Sequence, residues 1–312
     1  MISVEGLTHY YGDRRAVENL TFTIAEHEIV GFLGLNGAGK STTLKVLAGL
    51  IIPTAGSVTI DGTDLVSANA AFRSAIGYLP EDPPLYKEMT VSEFLLYVGQ
   101  LKGRSAAEVV ERLPHVLKVC QIEHMQHRVI AELSHGYRKR VGIAQAIIHR
   151  PRLVILDEPI SGLDPRQIVE MRQVVRDLGK ECTVLISSHI LGEIAETCDR
   201  VLVLKNGSID AIGGVGELSA AATARDGTRL TFELRASAEQ VNTALAALPG
   251  TTKIVIEAAG PGLVKLQLVL AQDQREQVVA ALVAAGVGLR RMIDDDSELE
   301  NVFLGITEGA MA

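Results

Sequence analysis

At 312 residues with a net charge of −8 and a pI near 5.6, the chain is long enough for two domains of ordinary size. It lacks the basic excess of a protein that holds nucleic acid by neutralising phosphates. Hydrophobic residues make up 47% and charged residues 22%, with 29 Gly and no Trp, a balance that suits a folded α/β protein and excludes a disordered or fibrous one.

The opening residues, Met1-Ile2-Ser3-Val4-Glu5, lack the basic start and apolar run of a secretory signal, so cytoplasmic residence is expected. Glu28–Leu33 reads as a buried strand and runs straight into Gly34-Leu35-Asn36-Gly37-Ala38-Gly39-Lys40-Ser41. This octet fits G-x-x-x-x-G-K-[ST] in its required setting, after a strand and before a helix expected at Lys40–Leu50. Glycines there let successive N–H groups face phosphate oxygens, the helix N-terminus adds partial positive charge, and Lys40 reaches the β and γ phosphates. Ser41 is the expected Mg²⁺ ligand.

Further helices are expected at Val91–Leu101 and at Gly136–His149, the latter with Ser134 as N-cap. Leu153–Leu156 is a second apolar strand and delivers Asp157 and Glu158 at its carboxyl end, where open α/β sheets hold ligands. Side chains alternate along a strand, so the two acids point differently. Asp157 suits Mg²⁺, directly or through water, and Glu158 suits the base that polarises an attacking water. Val184–Ser187 is a third strand. Cys120, Cys182 and Cys198 are odd in number and show no C-x-x-C spacing, which predicts free thiols in place of disulfides or a zinc site.

Residues 219–227 are small-residue-rich and aperiodic, so a linker is expected there between domains at 1–218 and 228–312. Beyond it, Leu230, Phe232 and Leu234 alternate as a strand, and Ser237 with Gln240 opens a helix that stops at Pro249-Gly250. A strand at Ile254–Ile256 follows, then a strand carrying Val264, Leu266, Leu268 and Leu270. A helix at Asp273–Ala285 and a strand at Val287–Ile293 complete a split βαβ pattern, followed by a helix capped by Ser297 and Glu300. The longest uncharged apolar stretch, Val278–Leu289, is well short of the ~20 residues that span a bilayer. Asp294-Asp295-Asp296 reads as a solvated acidic run and not as a metal site.

Leu133-Ser134-His135-Gly136-Tyr137, 23 residues before Asp157 when counted from Ser134, resembles the L-S-G-G-Q signature of ABC ATP-binding cassettes. The resemblance extends over roughly residues 2–216. Tyr11 resembles the aromatic that stacks on adenine, Tyr78-Leu79-Pro80-Glu81 the Q-loop, Ser161-Gly162-Leu163-Asp164 the D-loop, and His189 the switch histidine. Two departures stand out. Glu81 occupies the usual Gln position, and His135 and Tyr137 replace Gly and Gln of the signature. An ionised carboxylate at Glu81 can ligand Mg²⁺ but cannot donate a hydrogen bond.

The resemblance implies an α/β P-loop ATPase with a mixed sheet core and a helical subdomain, followed by a small α+β ferredoxin-like domain. It implies an ATP- and Mg²⁺-dependent ATPase. ATP would be held by Tyr11, Gly34, Asn36, Gly37, Ala38, Gly39, Lys40, Ser41 and Thr42, metal by Ser41, Glu81 and Asp157, with Glu158 and His189 catalytic. Ser134 and Gly136 would complete the site of a second copy, beside the D-loop residue Asp164. The implied partners are a second cassette and a transmembrane permease touched by residues 81–93, at the cytoplasmic face of the inner (plasma) membrane. No nucleic-acid partner is expected.

Leu299-Glu300-Asn301-Val302-Phe303-Leu304 resembles the closing L-E-x-V-F-L of cassettes serving ABC-2-type exporters, so an exporter motor is expected. In that reading the last domain either steadies the dimer or regulates it. The rivals are an importer motor and a soluble ABC ATPase acting on ribosomes or DNA. The second rival is disfavoured by the 94-residue separation of Ser134 from Lys40, too short for a long coiled-coil insertion.

Overall fold

The structure, a computed structural model, describes residues 1–214, 216–218, 228–246, 251–260, 262–270 and 274–294. The chain divides into two compact units, Met1–Gly214 and Val215–Ala312. The expected linker at 219–227, the Pro249-Gly250 stop, the helix from Ser297 and the 299–304 run lie outside the described residues, as do Asp295 and Asp296.

The first unit opens with an antiparallel sheet built from β1 (Ile2–Tyr11), β2 (Arg14–Ile24), β4 (Ala55–Ile60) and β5 (Thr63–Asp64), in the order β2-β1-β4-β5. The second sheet comprises β3 (Ile29–Leu33), β6 (Ile76–Leu79), β7 (Leu153–Leu156), β8 (Thr183–Ser188), β9 (Arg200–Lys205) and β10 (Ser208–Gly213). Its order is β10-β9-β3-β8-β7-β6, and all pairs are parallel except the β9–β10 hairpin. Every residue of β3, β7 and β8 is buried, which explains their apolar runs without alternation.

One core joins both sheets through α1 (Lys40–Leu47): Phe22 of β2 meets Phe32 of β3 edge to face at 5.5 Å, and Leu44 and Leu47 belong to the same cluster. α1 ends at Leu47, short of the expected Leu50, because Gly49 is left-handed at φ +69°. Its N–H bonds Val46 O while Leu50 N–H bonds Lys45 O, a Schellman stop that the apolar pattern does not reveal.

Helices α2 (Asn69–Ser74), α6 (Pro165–Gly179) and α7 (Leu191–Ala195) accompany these sheets, while α3 (Val91–Leu101), α4 (Ala106–Val119) and α5 (His135–Ile147) pack together as a helical subdomain. Thr90 with Glu93 and Ser105 with Glu108 form capping boxes that start α3 and α4. α5 begins at His135 with Ser134 as its cap, and stops at Ile147, two residues before the expected His149. Cys120, Cys182 and Cys198 are free thiols, and burial pushes the Cys182 thiol up to about 12.

His149 sits buried behind this sheet with Nε2 3.0 Å from Ile76 O and Nδ1 without a hydrogen-bond partner. Burial, reinforced by Lys102, pushes its pKa down to about 4. The fold therefore keeps the imidazole neutral, whereas the unfolded chain takes up a proton near 6.5. Stability present above pH 6.5 is lost as pH falls toward 4, by about 3 kcal/mol from this residue. Urea unfolding at pH 7.5 and pH 5 measures the slope. A His149→Gln variant is expected to flatten it, and an unchanged slope refutes the assignment.

The second unit runs β11 (Thr228–Arg235), α8 (Ala238–Leu245), β12 (Thr251–Gly260), β13 (Leu263–Leu270), α9 (Arg275–Ala284) and β14 (Gly288–Asp294). Its sheet has the order β12-β13-β11-β14, every neighbouring pair antiparallel. Leu230, Phe232, Leu234, Leu266 and Leu268 form one core with Val241 and Leu245 of α8 and Val278 and Leu282 of α9. Ser237 and Gln240 make the expected capping box, and left-handed Gly286 closes α9.

Candidate functional site

Because β3, β7 and β8 are adjacent and parallel, the residues that follow them gather at one edge of the sheet: Gly34–Ser41 after β3, Asp157 and Glu158 after β7, His189 after β8. Gly37 and Gly39 are left-handed, at φ +86° and +102°, and a Cβ on Gly39 would stand 2.9 Å from Ala16 O. The loop bends back on Lys40, whose ammonium is almost fully buried and donates to Gly34 O at 2.6 Å. Burial lowers the Lys40 pKa, opposed by the carboxylates of Glu158, Asp157 and Glu81.

A cavity of about 430 Å³ opens over this loop, walled by Tyr11, Asn36, Gly37, Gly39, Lys40, Ser41, Thr42, Glu81, Glu158 and His189. Gly34 and Ala38 belong to the same loop but do not line the cavity. Tyr11 is half-exposed at the end of β1, braced edge to face by His9 at 4.7 Å. Arg14, Arg15 and Ala16, which no motif marked, also face the cavity, with Arg15 paired to Glu18.

Glu158 is the most constrained residue of the group. It is left-handed at φ +48°, unusual for a residue with a side chain. Its N–H donates to Ser187 Oγ at 2.9 Å, Oε2 lies 2.9 Å from His189 Nδ1, and Oε1 lies 3.8 Å from Lys40 Nζ. Ser187 also donates its hydroxyl to Asp157 Oδ1 at 2.6 Å, so one serine orients both acids. Asp157 is buried and does not line the cavity.

The chemistry of Ser41, Glu81 and Asp157 fits a hard cation such as Mg²⁺, since all three offer oxygen ligands. Ser41 and Glu81 share the cavity wall. Among the described residues there is no cluster of three His, Cys, Asp or Glu that would hold a metal unaided.

Ser134, Gly136 and Asp164 fall elsewhere. Ser134 caps α5 by accepting from Tyr137 N–H, and Asp164 caps α6 by accepting from Gln167 N–H at 2.9 Å. Gly136, Tyr137, Asp164 and Gln167 line a separate depression of about 340 Å³. A Cβ on Gly136 would stand 2.8 Å from Gln167 Oε1, so any larger residue there would make the Gln167 side chain shift. Tyr137 is steadied by His124, whose Nε2 lies 3.1 Å from its hydroxyl, and by the Arg140 guanidinium 5.8 Å above its ring. No described helix is long and apolar enough to cross a membrane.

The family model described as ABC transporter matches residues 17–161. The uncharacterized ABC transporter ATP-binding protein YxlF of Bacillus subtilis is 40% identical over 218 residues, 70% of this chain and 72% of that protein. The Nod factor export ATP-binding protein I of Rhizobium sp. is 36% identical over 209 residues, 66% of this chain and 68% of its own length. The linearmycin resistance ATP-binding protein LnrL of Bacillus subtilis is 28% identical over 314 residues, 98% of either chain. Among solved structures, the dimeric bacterial ABC transporter cassette MJ0796 superposes with a TM-score of 0.60 at 26% identity, covering 69% of this chain and 98% of that one.

Proposed function

This chain belongs to the ABC transporter family as an ATP-binding, ATP-hydrolysing cassette, and on that premise we propose that it drives an exporter whose membrane-spanning part is a separate permease. The observation that carries the catalytic part is the contiguous set of Lys40, Glu158 and His189 on one cavity wall. In this reading the N–H groups of residues 34–41 and the N-terminus of α1 cradle the triphosphate, Lys40 offsets its charge, and Tyr11 stacks on the base. Glu158 accepts a proton from the attacking water, and His189, bonded to Glu158, orients that carboxylate and meets the γ-phosphate. Ser41, Glu81 and Asp157 would hold Mg²⁺, which would supply charge stabilisation on the phosphate oxygens.

Ser134 and Gly136 are assigned to the nucleotide of a second copy, with Asp164 beside them. Their separation from the Lys40 cavity supports this reading: a site that is complete only across a dimer leaves its two halves on different surfaces of the monomer. The dimeric cassette structure resembles the chain in fold and supports the same arrangement.

Export is favoured over import by the relatives named for export and for resistance, and by the LnrL match, which runs through the second unit as well. We assign that unit to the ferredoxin-like class, joined through a linker at 219–227, on its strand–helix–strand–strand–helix–strand order. An ABC-2-type permease is the proposed partner, at the cytoplasmic face of the plasma membrane. The contact surface is assigned to residues 81–93, where half-exposed Tyr86 packs against Phe94 and Tyr97.

Affinity purification of the tagged chain from native membranes tests this. Recovery of a polytopic permease without any substrate-binding protein is the expected result. A permease that requires a substrate-binding protein would point to import, and co-purifying ribosomes would overturn the transport reading.

A further inference from the structure

Lys139 lies on α5, five residues past Ser134, yet it faces neither the depression beside Gly136 nor solvent. It is 2% exposed, an unusual burial for lysine. Its ammonium donates to two backbone carbonyls from distant parts of the chain, Glu81 O and, at 3.2 Å, Glu158 O. The Glu81, Asp82, Asp157 and Glu158 carboxylates surround it and counter the burial that lowers its pKa.

These two carbonyls belong to the residues assigned to the metal and to the attacking water. Glu158 carries a strained left-handed backbone, and such a conformation persists only where its surroundings over-determine it. Ser187 holds its N–H and Lys139 holds its C=O, so the peptide units on both sides of Glu158 are fixed. A buried charge with two carbonyl acceptors also resists displacement, because leaving either bond unmade costs more than an exposed contact would.

We propose that Lys139 is a positioning residue for hydrolysis, clamping the backbone at Glu158 and Glu81 so that the Glu158 carboxylate stays aimed at the water beside the γ-phosphate. The inference rests on the assignment of Glu158 as the base. Because Lys139 is carried on the helix whose N-terminus holds Ser134 and Gly136, the clamp also ties the half-site serving the second copy to this copy's own base.

Lys139→Met keeps the apolar stem and removes the donors. ATPase kinetics of this variant are expected to show kcat lowered on the order of 10- to 100-fold, with the KM for ATP close to wild type and the melting temperature lowered by the carbonyl bonds left unmade. Lys139→Gln, which can still donate to one carbonyl, is expected to give an intermediate kcat at the same KM. In single-turnover assays on a Glu158→Gln background, Lys139→Met is expected to add no further loss, since the residue acts through Glu158. Wild-type kcat in folded Lys139→Met overturns the proposal, as does a rise in KM that parallels the fall in kcat, or full additivity with Glu158→Gln. If Lys139→Met does not fold, Lys139→Gln decides: intermediate kcat at unchanged KM supports the clamp, and wild-type kcat refutes it. Full turnover in Glu158→Gln alone would instead sink the base assignment and leave the Lys139 comparison readable.

Discussion

Replacing Glu158 with Gln is expected to lower steady-state ATP hydrolysis on the order of 10²- to 10⁴-fold, the range contributed by a positioned general base. The substitution keeps the size of the side chain and leaves an amide oxygen able to accept from His189 Nδ1, now 2.9 Å from the carboxylate. It leaves Ser187 and Lys139 bonded to the same peptide groups, so the left-handed turn at φ +48° keeps its supports. What it removes is basicity, and with it one negative charge 3.8 Å from Lys40 that would repel phosphate. Nucleotide affinity is therefore expected to hold or rise while turnover stops. Gel filtration with ATP and Mg²⁺ is expected to show an accumulating dimer. A variant that hydrolyses ATP at more than a tenth of the wild-type rate would remove Glu158 from the role of base.

Lys40→Ala is expected to act earlier, on binding. The Lys40 ammonium is nearly enclosed, surrounded by three carboxylates, and held at Gly34 O in the middle of the loop. A bound triphosphate exchanges that carbonyl for phosphate oxygens, and a charge-assisted bond of this kind contributes roughly 1.5–3 kcal/mol. The expected consequence is a rise in the ATP dissociation constant on the order of 10- to 100-fold, measured by fluorescence titration. Arg is not a conservative replacement here, because a planar fork does not fit a space shaped for a point charge. Unchanged ATP affinity in the Ala variant would refute the phosphate role. The contrast between the two variants is diagnostic: one loses turnover with nucleotide bound, the other loses the nucleotide.

Glu81 stands apart from these two. Its side chain reaches the cavity and its carbonyl is occupied by Lys139, so the loop's backbone is anchored whichever side chain it carries. Under the proposed metal role, a carboxylate in place of the Gln expected from the resemblance would alter what that wall offers a cation without changing how the loop is held.

The short-range features were legible in the sequence. The Gly34–Ser41 loop depends on backbone angles within eight consecutive residues, and its glycines, lysine and serine state those angles and the ligand together. The capping of α5 by Ser134 and of α8 by Ser237 involves partners three positions away, and the alternation of Leu230, Phe232 and Leu234 follows from one buried sheet face. The sheet of β1, β2 and β4 was not read, because Ile2 pairs with Ile24 on one side and Ile60 on the other, and no local window carries that information.

The sequence by itself determined the family of this cassette and named the groups proposed to meet phosphate, water and metal. The tertiary structure alone decided how those groups are arranged: that Ser187 orients both acids, that Arg14 and Arg15 face the cavity, that Gly136 and Asp164 lie on a different surface from Lys40, and that Lys139 holds Glu81 and Glu158. The physical reason is range. A motif encodes a local backbone path, whereas a hydrogen bond between residues 139 and 81 depends on the register of parallel strands and the packing of a helix against them, which emerge only when the whole core has formed.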